Sequence, residues 1–176
     1  RPQGFVTIRG TGLGGSAKMS VPTILLRPDG KVWLGIIGGA IHIIDPGGGA
    51  VGVIEPKADI SRGGLPKGRV LAMVNGPGDS VYIGTQQGLF RSDGAGRAIR
   101  RIDIAGRAGD GSIWALAYRA GVLWAGGLDG IWELPLEGRD TPPVRRHESA
   151  RLGDSRVTAI LPQADGGVWV GTRAGL

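Results

Sequence analysis

Short apolar runs separated by glycine-bearing turns recur along this chain. Lys31-Val32-Trp33-Leu34-Gly35 returns as Ser80-Val81-Tyr82-Ile83-Gly84, as Val122-Leu123-Trp124-Ala125-Gly126 and as Gly167-Val168-Trp169-Val170-Gly171. The aromatic positions are 33, 82, 124 and 169, so the intervals are 49, 42 and 45 residues. Upstream of each copy lies a further apolar strand: Thr23 to Leu26, Val70 to Val74, Ile113 to Tyr118 and Val157 to Leu161. Turns rich in Asp, Asn and Gly join the two, as in Arg27-Pro28-Asp29-Gly30 and Gln163-Ala164-Asp165-Gly166-Gly167, and these residues suit tight hairpins. A third strand is predicted at Ala40 to Ile44, Gly88 to Arg91 and Gly130 to Leu134. A fourth is predicted at Val51 to Glu55, Ile99 to Ile104 and Val144 to His147. Candidate helices are all broken by Gly or Pro within a turn or two.

Four short strands per repeat of this period is the signature of a propeller blade. The expected fold is therefore all-β, a β-propeller segment of four-stranded antiparallel blades. The blades divide as residues 21–68, 69–111 and 112–155, with a partial blade at 156–176. Residues 1–20 read as the outer strand of a preceding blade (Phe5 to Arg9) and its linking loop. Three whole blades and two partial ones lack a strand for closing even a small ring, so further blades are expected in the same or another chain.

Composition refines this picture. Glycine makes up 35 of 176 residues and proline 11, a level that reads as turns between strands because the glycines separate Val-, Ile- and Trp-rich runs. No apolar run approaches the ~18 residues of a membrane span, so no membrane contact is expected of this segment. The N-terminus Arg1-Pro2-Gln3-Gly4 lacks a signal-peptide pattern and reads like a cut within a longer frame. Cysteine is absent, which excludes disulfides, thiolate metal sites and cysteine nucleophiles. The net charge of +6 is spread along the chain and only nine aromatics are present; nucleic-acid binding calls for a focused basic stripe with stacking rings, so no nucleic-acid partner is expected.

The search for chemistry is mostly negative. His42 lies within a third strand and reads as a hydrogen-bonded blade residue, and His147 follows Arg145-Arg146 in an outer strand as a solvated one. Asp29, Asp79 and Asp165 sit at turns where an Asx-turn role suffices. Ser16 lacks a nucleophile elbow, and the glycine-rich Gly10 to Ser16 lacks the Lys-Ser/Thr ending and following helix of a phosphate loop. No catalytic residue, metal site or cofactor is expected. Trp33, Tyr82, Trp124 and Trp169, with Gly35, Gly84, Gly126 and Gly171, are structural repeat positions, the aromatics packing between adjacent sheets. Trp114 and Trp132 are not repeated and are candidates for a recognition surface. Loops on one face of a propeller supply Gln86, Gln87, Asp129 and Arg173 at equivalent positions, the arrangement of a grafted binding site.

The stretch from Arg156 to Leu176, with Gly167-Val168-Trp169-Val170-Gly171-Thr172-Arg173-Ala174-Gly175-Leu176 at its end, resembles the two-component regulator propeller repeat. Tyr82-Ile83-Gly84-Thr85-Gln86-Gln87-Gly88-Leu89 matches the same pattern. Gly35 to Ala40 lacks its Thr, and Gly126-Gly127-Leu128-Asp129-Gly130 replaces Thr with Gly. The resemblance implies a periplasmic or extracytoplasmic sensor region of a bacterial receptor with a histidine kinase or diguanylate cyclase output. On that basis the expected role is recognition, without catalysis, of a small molecule, glycan or protein. A stand-alone scaffold propeller is the second reading. A lyase or glycan-processing enzyme is the third, prompted by a weaker likeness of Gly30-Lys31-Val32-Trp33 and Ile43-Ile44-Asp45-Pro46 to streptogramin-lyase-type propellers.

Overall fold

The computed structural model describes residues 20–45, 47, 49–104, 111–128, 130–136, 144–148 and 156–175. The expected outer strand at Phe5 to Arg9 lies outside them. The first sheet is built from β1 (Thr23–Leu26), β2 (Val32–Gly35), β4 (Ile41–Ile44) and β5 (Ala50–Ile54), in that spatial order, with β3 (Ile37–Gly38) leaving it between β2 and β4. A short parallel pair, β6 (Pro56–Lys57) with β7 (Leu65–Pro66), ties the base of the linking loop. The second sheet runs β8 (Gly68–Asn75), β9 (Val81–Thr85), β10 (Gly88–Ser92), β11 (Ile99–Ile102), and the third runs β12 (Ile113–Arg119), β13 (Val122–Gly127), β14 (Gly130–Pro135), β15 (Val144–Glu148). The fourth consists of β16 (Val157–Pro162) and β17 (Val168–Thr172). Within each blade the pairing is antiparallel between successive blade strands, β3 adds antiparallel to β8 at the edge of the second sheet, and no helix occurs among the described residues.

The sheets stack face to face, and alternation decides what each face does. In the first sheet Leu25, Trp33 and Ile43 form one cross-strand row. This row buries itself against Val70, Met73, Val81, Ile83 and Phe90 of the second sheet, and Trp33 is fully buried. One sheet further on, Tyr82 and Leu89 pack on Ile113, Leu123, Ala125 and Trp132 of the third. Trp124 is buried in turn where β13 meets β16. Each repeat aromatic therefore faces the blade that follows it in sequence. Trp169 differs: it is 58% exposed, because among the described residues no sheet covers its row with Leu161. At the other end Ile24 and Leu26, on the face opposite Trp33, are 64% and 65% exposed.

The repeat glycine is a packing device. None of Gly35, Gly84 and Gly126 has a positive φ. A Cβ on Gly35 would lie 2.8 Å from Val70 Cγ1, one on Gly84 2.7 Å from the Ile113 carbonyl oxygen, and one on Gly126 2.5 Å from Val157 Cγ1. Across the junction the residue struck is in each case the first apolar residue of the next blade's inner strand, and at Gly35 the Thr23 methyl of its own sheet stands as close, at 2.7 Å. At Gly171 the nearest atom, Ala159 Cβ at 3.3 Å, belongs to its own sheet.

Polar ties reinforce the first junction. Arg27, 4% exposed at the end of β1, reaches across to the β8–β9 turn. There its guanidinium donates to Asn75 Oδ1, to the Asp79 carboxylate and to the carbonyls of Asp79 (3.0 Å) and Ser80 (3.3 Å). Asn75 Nδ2 returns a bond to the Leu26 carbonyl at 2.9 Å, and Arg27 Cζ stands 5.6 Å from the Trp33 ring centroid. The Asx-turn role holds for Asp29, which accepts from Lys31 N at 3.0 Å, and for Asp165, which accepts from Gly167 N at 2.9 Å. Asp79 instead serves the Arg27 tie, its side chain 83% exposed, so Arg27's bonds to the neighbouring backbone and Asn75 carry more stability than the ion pair itself.

Two outcomes are expected in urea unfolding. Gly126→Ala destabilises the chain by about 1–3 kcal/mol through overpacking. Gly111→Ala, whose Cβ would meet nothing within 4 Å, stays within about 0.5 kcal/mol of wild type. Burial raises the Tyr82 phenol above its ordinary 10.0, against the opposing pull of Arg91 and a bond with Ser80. A folded-state pKa above the unfolded one contributes stability that is complete below pH 10 and lost as pH rises through the folded value. Wild type therefore loses unfolding free energy more steeply above about pH 10 than Tyr82→Phe does.

Candidate functional site: the loop face at the inner-strand entry

The second strand of each blade turns into the third at the end where the inner strands begin, and one loop design recurs there. Thr85 Oγ1 donates to the Gly88 carbonyl (3.1 Å) and accepts from Gln87 N (3.0 Å). Thr172 makes the same pair, to the Gly175 carbonyl (3.1 Å) and from Ala174 N (3.2 Å). The closing glycine has a φ of 125° at Gly88, 119° at Gly130 and 134° at Gly175, a conformation that only glycine adopts without strain. Gln86 N donates to the Arg69 carbonyl at 3.2 Å, Arg173 N to Arg156 at 3.3 Å and Ile37 N to Ser20 at 3.2 Å. These bonds hold Gln86, Arg173 and Ile37 in equivalent places, and the register of β13 with β14 gives Leu128 the same place in the third blade. All four are exposed. The scaffold thus presents an amide, a guanidinium and two aliphatic side chains from one backbone geometry.

The first two loops also lean on the following blade. Ile37 and Gly38 pair with Arg69 and Gly68 as a fifth strand of the second sheet, and Ser112 Oγ donates to the Gln86 carbonyl at 3.2 Å. Gln87 is exposed but its side-chain Nε2 already donates to the Lys67 carbonyl at 2.8 Å, and its backbone carbonyl accepts from Arg101 at 3.0 Å. Asp129 lies outside the described residues.

A feature of this face that strand periodicity alone missed is a repeated β-bulge. The register shifts between Val70 and Ala72, between Ile113 and Ala115, and between Val157 and Ala159. Leu71, Trp114 and Thr158 are therefore the extra residues at the entry of three inner strands, where bulges re-aim side chains. The signal was in the chain as a β-branched residue, any residue, then Ala: Val70-Leu71-Ala72, Ile113-Trp114-Ala115, Val157-Thr158-Ala159. Trp114 is half-buried, its ring lies 4.4 Å from the Arg156 guanidinium carbon, and its Nε1 has no hydrogen-bond partner. Trp132 is placed elsewhere. It is 5% exposed within the core between the second and third sheets, and only its edge lines a crevice of about 30 Å³. The expectation that it forms part of a recognition surface is corrected: its row on β14 faces the neighbouring blade.

His42 is buried in β4 in a row with Leu34 and Val53. Its Nδ1 has no hydrogen-bond partner, so the hydrogen-bonded role expected of it does not extend to that atom. Among the described residues no group of three His, Cys, Asp or Glu side chains could hold a metal ion.

Consecutive four-stranded antiparallel sheets, stacked by sequence order and joined from outer strand to next inner strand, define a β-propeller segment. The family described as "Two component regulator propeller" matches residues 151–174. The extracellular domain of the hybrid two component system BT3049 from B. thetaiotaomicron is similar at 17% identity with a TM-score of 0.73, covering 91% of this chain and 20% of that one. The corresponding domain of BT4673 from the same organism gives 21% identity and a TM-score of 0.69, covering 92% and 21%. A computationally designed protein, Ika8, gives 19% identity and a TM-score of 0.57, covering 87% and 46%. This chain thus spans about a fifth of the two bacterial domains, and at these identities the likeness shows the fold. No curated protein matches the sequence.

Thr85 is 2% exposed and both bonds of its hydroxyl are internal to the turn. Thr85→Val is expected to cost about 1–2 kcal/mol in urea unfolding, while Gln86→Ala, at an exposed tip, changes stability by less than about 0.5 kcal/mol.

Proposed function

We propose that this chain is part of the ligand-recognising propeller of a bacterial signal-transduction receptor, located outside the cytoplasm, and that it binds without catalysing. The observation that carries this is the loop face. Ile37, Gln86, Leu128 and Arg173 occupy equivalent, exposed positions on a rigid repeated turn, which is how a fixed scaffold carries a variable site. Trp114 adds a half-buried aromatic face at the same end. The family match at residues 151–174 and the likeness to extracellular domains of hybrid two component systems support the receptor context and the compartment.

Further blades belong to the same reading. Ile24, Leu26 and Val53 at one end and Leu161 and Trp169 at the other form exposed apolar sheet faces, the surfaces that the other junctions bury. Propellers generally close as rings of about four to eight blades, and blades in the same or another chain would cover these faces.

The test is a thermal-shift screen of glycans, peptides and small metabolites on the chain, with each hit followed chemically. A ligand that raises the melting temperature, is recovered unchanged and loses its effect with Gln86→Ala and Arg173→Ala supports the reading. Turnover of any hit, or binding indifferent to both substitutions, overturns it in favour of an enzyme or of another surface.

A further inference from the structure

The linking loop between the first two blades is a built structure. β6 and β7 close its base, and Leu65 is fully buried beneath it. Asp59 accepts from Ser61 N at 2.9 Å, and this backbone bond leads the influences that hold its carboxyl below the ordinary 3.8. At the far side Gly64 N donates to the Ile99 carbonyl at 3.2 Å. Gly63 has a φ of 88°, and a Cβ there would stand 2.5 Å from that same carbonyl. The loop is thereby pressed against β11, the outer strand of the second blade.

Between this loop, β5 and the β10–β11 hairpin lies a groove of about 790 Å³. Lys57 and Arg62 line it from the loop side, and Arg97 and Arg101 from the hairpin and β11; Arg100 pairs with Arg91 on the opposite face of the sheet. The single carboxylate in the lining is Glu55. All four cations are exposed, and none forms an ion pair with a described carboxylate. Arg101 donates to the Gln87 carbonyl and Lys57 to the Gly63 carbonyl at 3.2 Å, which fixes their stems while leaving their charge uncompensated. The floor is aliphatic, from Ile54, Ile60 and Ile99, and no aromatic ring lines it.

We propose that this rim groove binds a compact polyanionic ligand, one carrying several carboxylate, sulfate or phosphate groups. Three arginines offer planar forks matched to such groups, and concentration of like charge within a concave wall raises the local potential for anions. The volume lies in the range of small-ligand sites. A neutral sugar would look for a ring to stack on and finds none. An acidic peptide would dock by adding a strand to β11, but Gly64 already occupies the outward edge at Ile99, so side-chain charge must supply the recognition. This site lies away from the loop face and does not depend on recognition there.

The experiment is calorimetric titration of the 176-residue chain with trigalacturonate, a carboxylated oligosaccharide, and separately with inositol hexakisphosphate. Saturable binding of either is expected, the tighter one telling a carbohydrate source from a phosphate source. Binding weakens as salt rises from about 50 to about 500 mM. Arg62→Gln/Arg97→Gln reduces affinity at least about tenfold with an unchanged melting temperature. Arg119→Gln, an exposed cation of the third blade, leaves affinity unchanged. The assignment is overturned if neither polyanion binds, if neutral maltotriose binds as well, or if Arg119→Gln weakens binding as much as the groove variant. Tighter binding of hexa-aspartate than of both polyanions would put an acidic peptide in the groove and overturn it too.

Discussion

Neighbouring blades approach one another closely at a hydrogen atom. At Gly35, Gly84 and Gly126 the last turn of the second strand leaves room for Val70, Ile113 and Val157 of the next blade, and any Cβ would fill that room. Two twisted sheets packed face to face must meet closely somewhere, and glycine at this point lets the inner strands converge while the aromatic two residues earlier fills the wider gap. Trp33, Tyr82 and Trp124 do so with 8% exposure or less. The pair of positions explains why the repeat is read most clearly as aromatic-x-Gly. It also explains why the inner strand that follows begins with a β-branched residue.

From this junction the functional surfaces follow. With the inner strands held together, the loops between second and third strands fall side by side; Ile37, Gln86 and Arg173 are bonded through their N–H groups to the entry of their own inner strands, and the first two loops also to the next. Their backbone is thereby fixed independently of the side chains at their tips, so Gln86, Leu128 and Arg173 differ at no cost to the fold. The outer strands splay apart by the same geometry, and the linking loop from 56 to 66 fills part of the gap at the first junction. One end of the molecule thus carries varied chemistry on a constant frame, and the rim carries a concentrated positive charge.

The end faces show the same constraint in its unfulfilled form. Leu161 and Trp169 occupy the positions that Leu25 and Trp33 occupy at the first junction, yet they remain open to solvent. Their sequence context is that of buried residues. Exposure here is a property of which sheets are adjacent, and no local pattern encodes it.

Strand order and the turns were legible in the chain because hydrophobic alternation and glycine spacing are local, and they repeat. The inner strand Thr23–Leu26 was placed to the residue, and the others to within one or two. The equivalence of Gln86 and Arg173 was legible for the same reason. Only the tertiary structure decided the rest. Trp132 and Trp114 read alike as unrepeated tryptophans, but one-residue bulging and sheet stacking put the first in the core and the second near the loop face. Asp79 read as a turn residue until packing brought Arg27, far away in sequence, to its carboxylate. Arginines 62, 97 and 101 read as scattered charge, since their convergence depends on two blades and a loop meeting in space. Contacts between repeats are long-range in sequence, and a pattern that specifies each blade cannot specify what its neighbour brings to it.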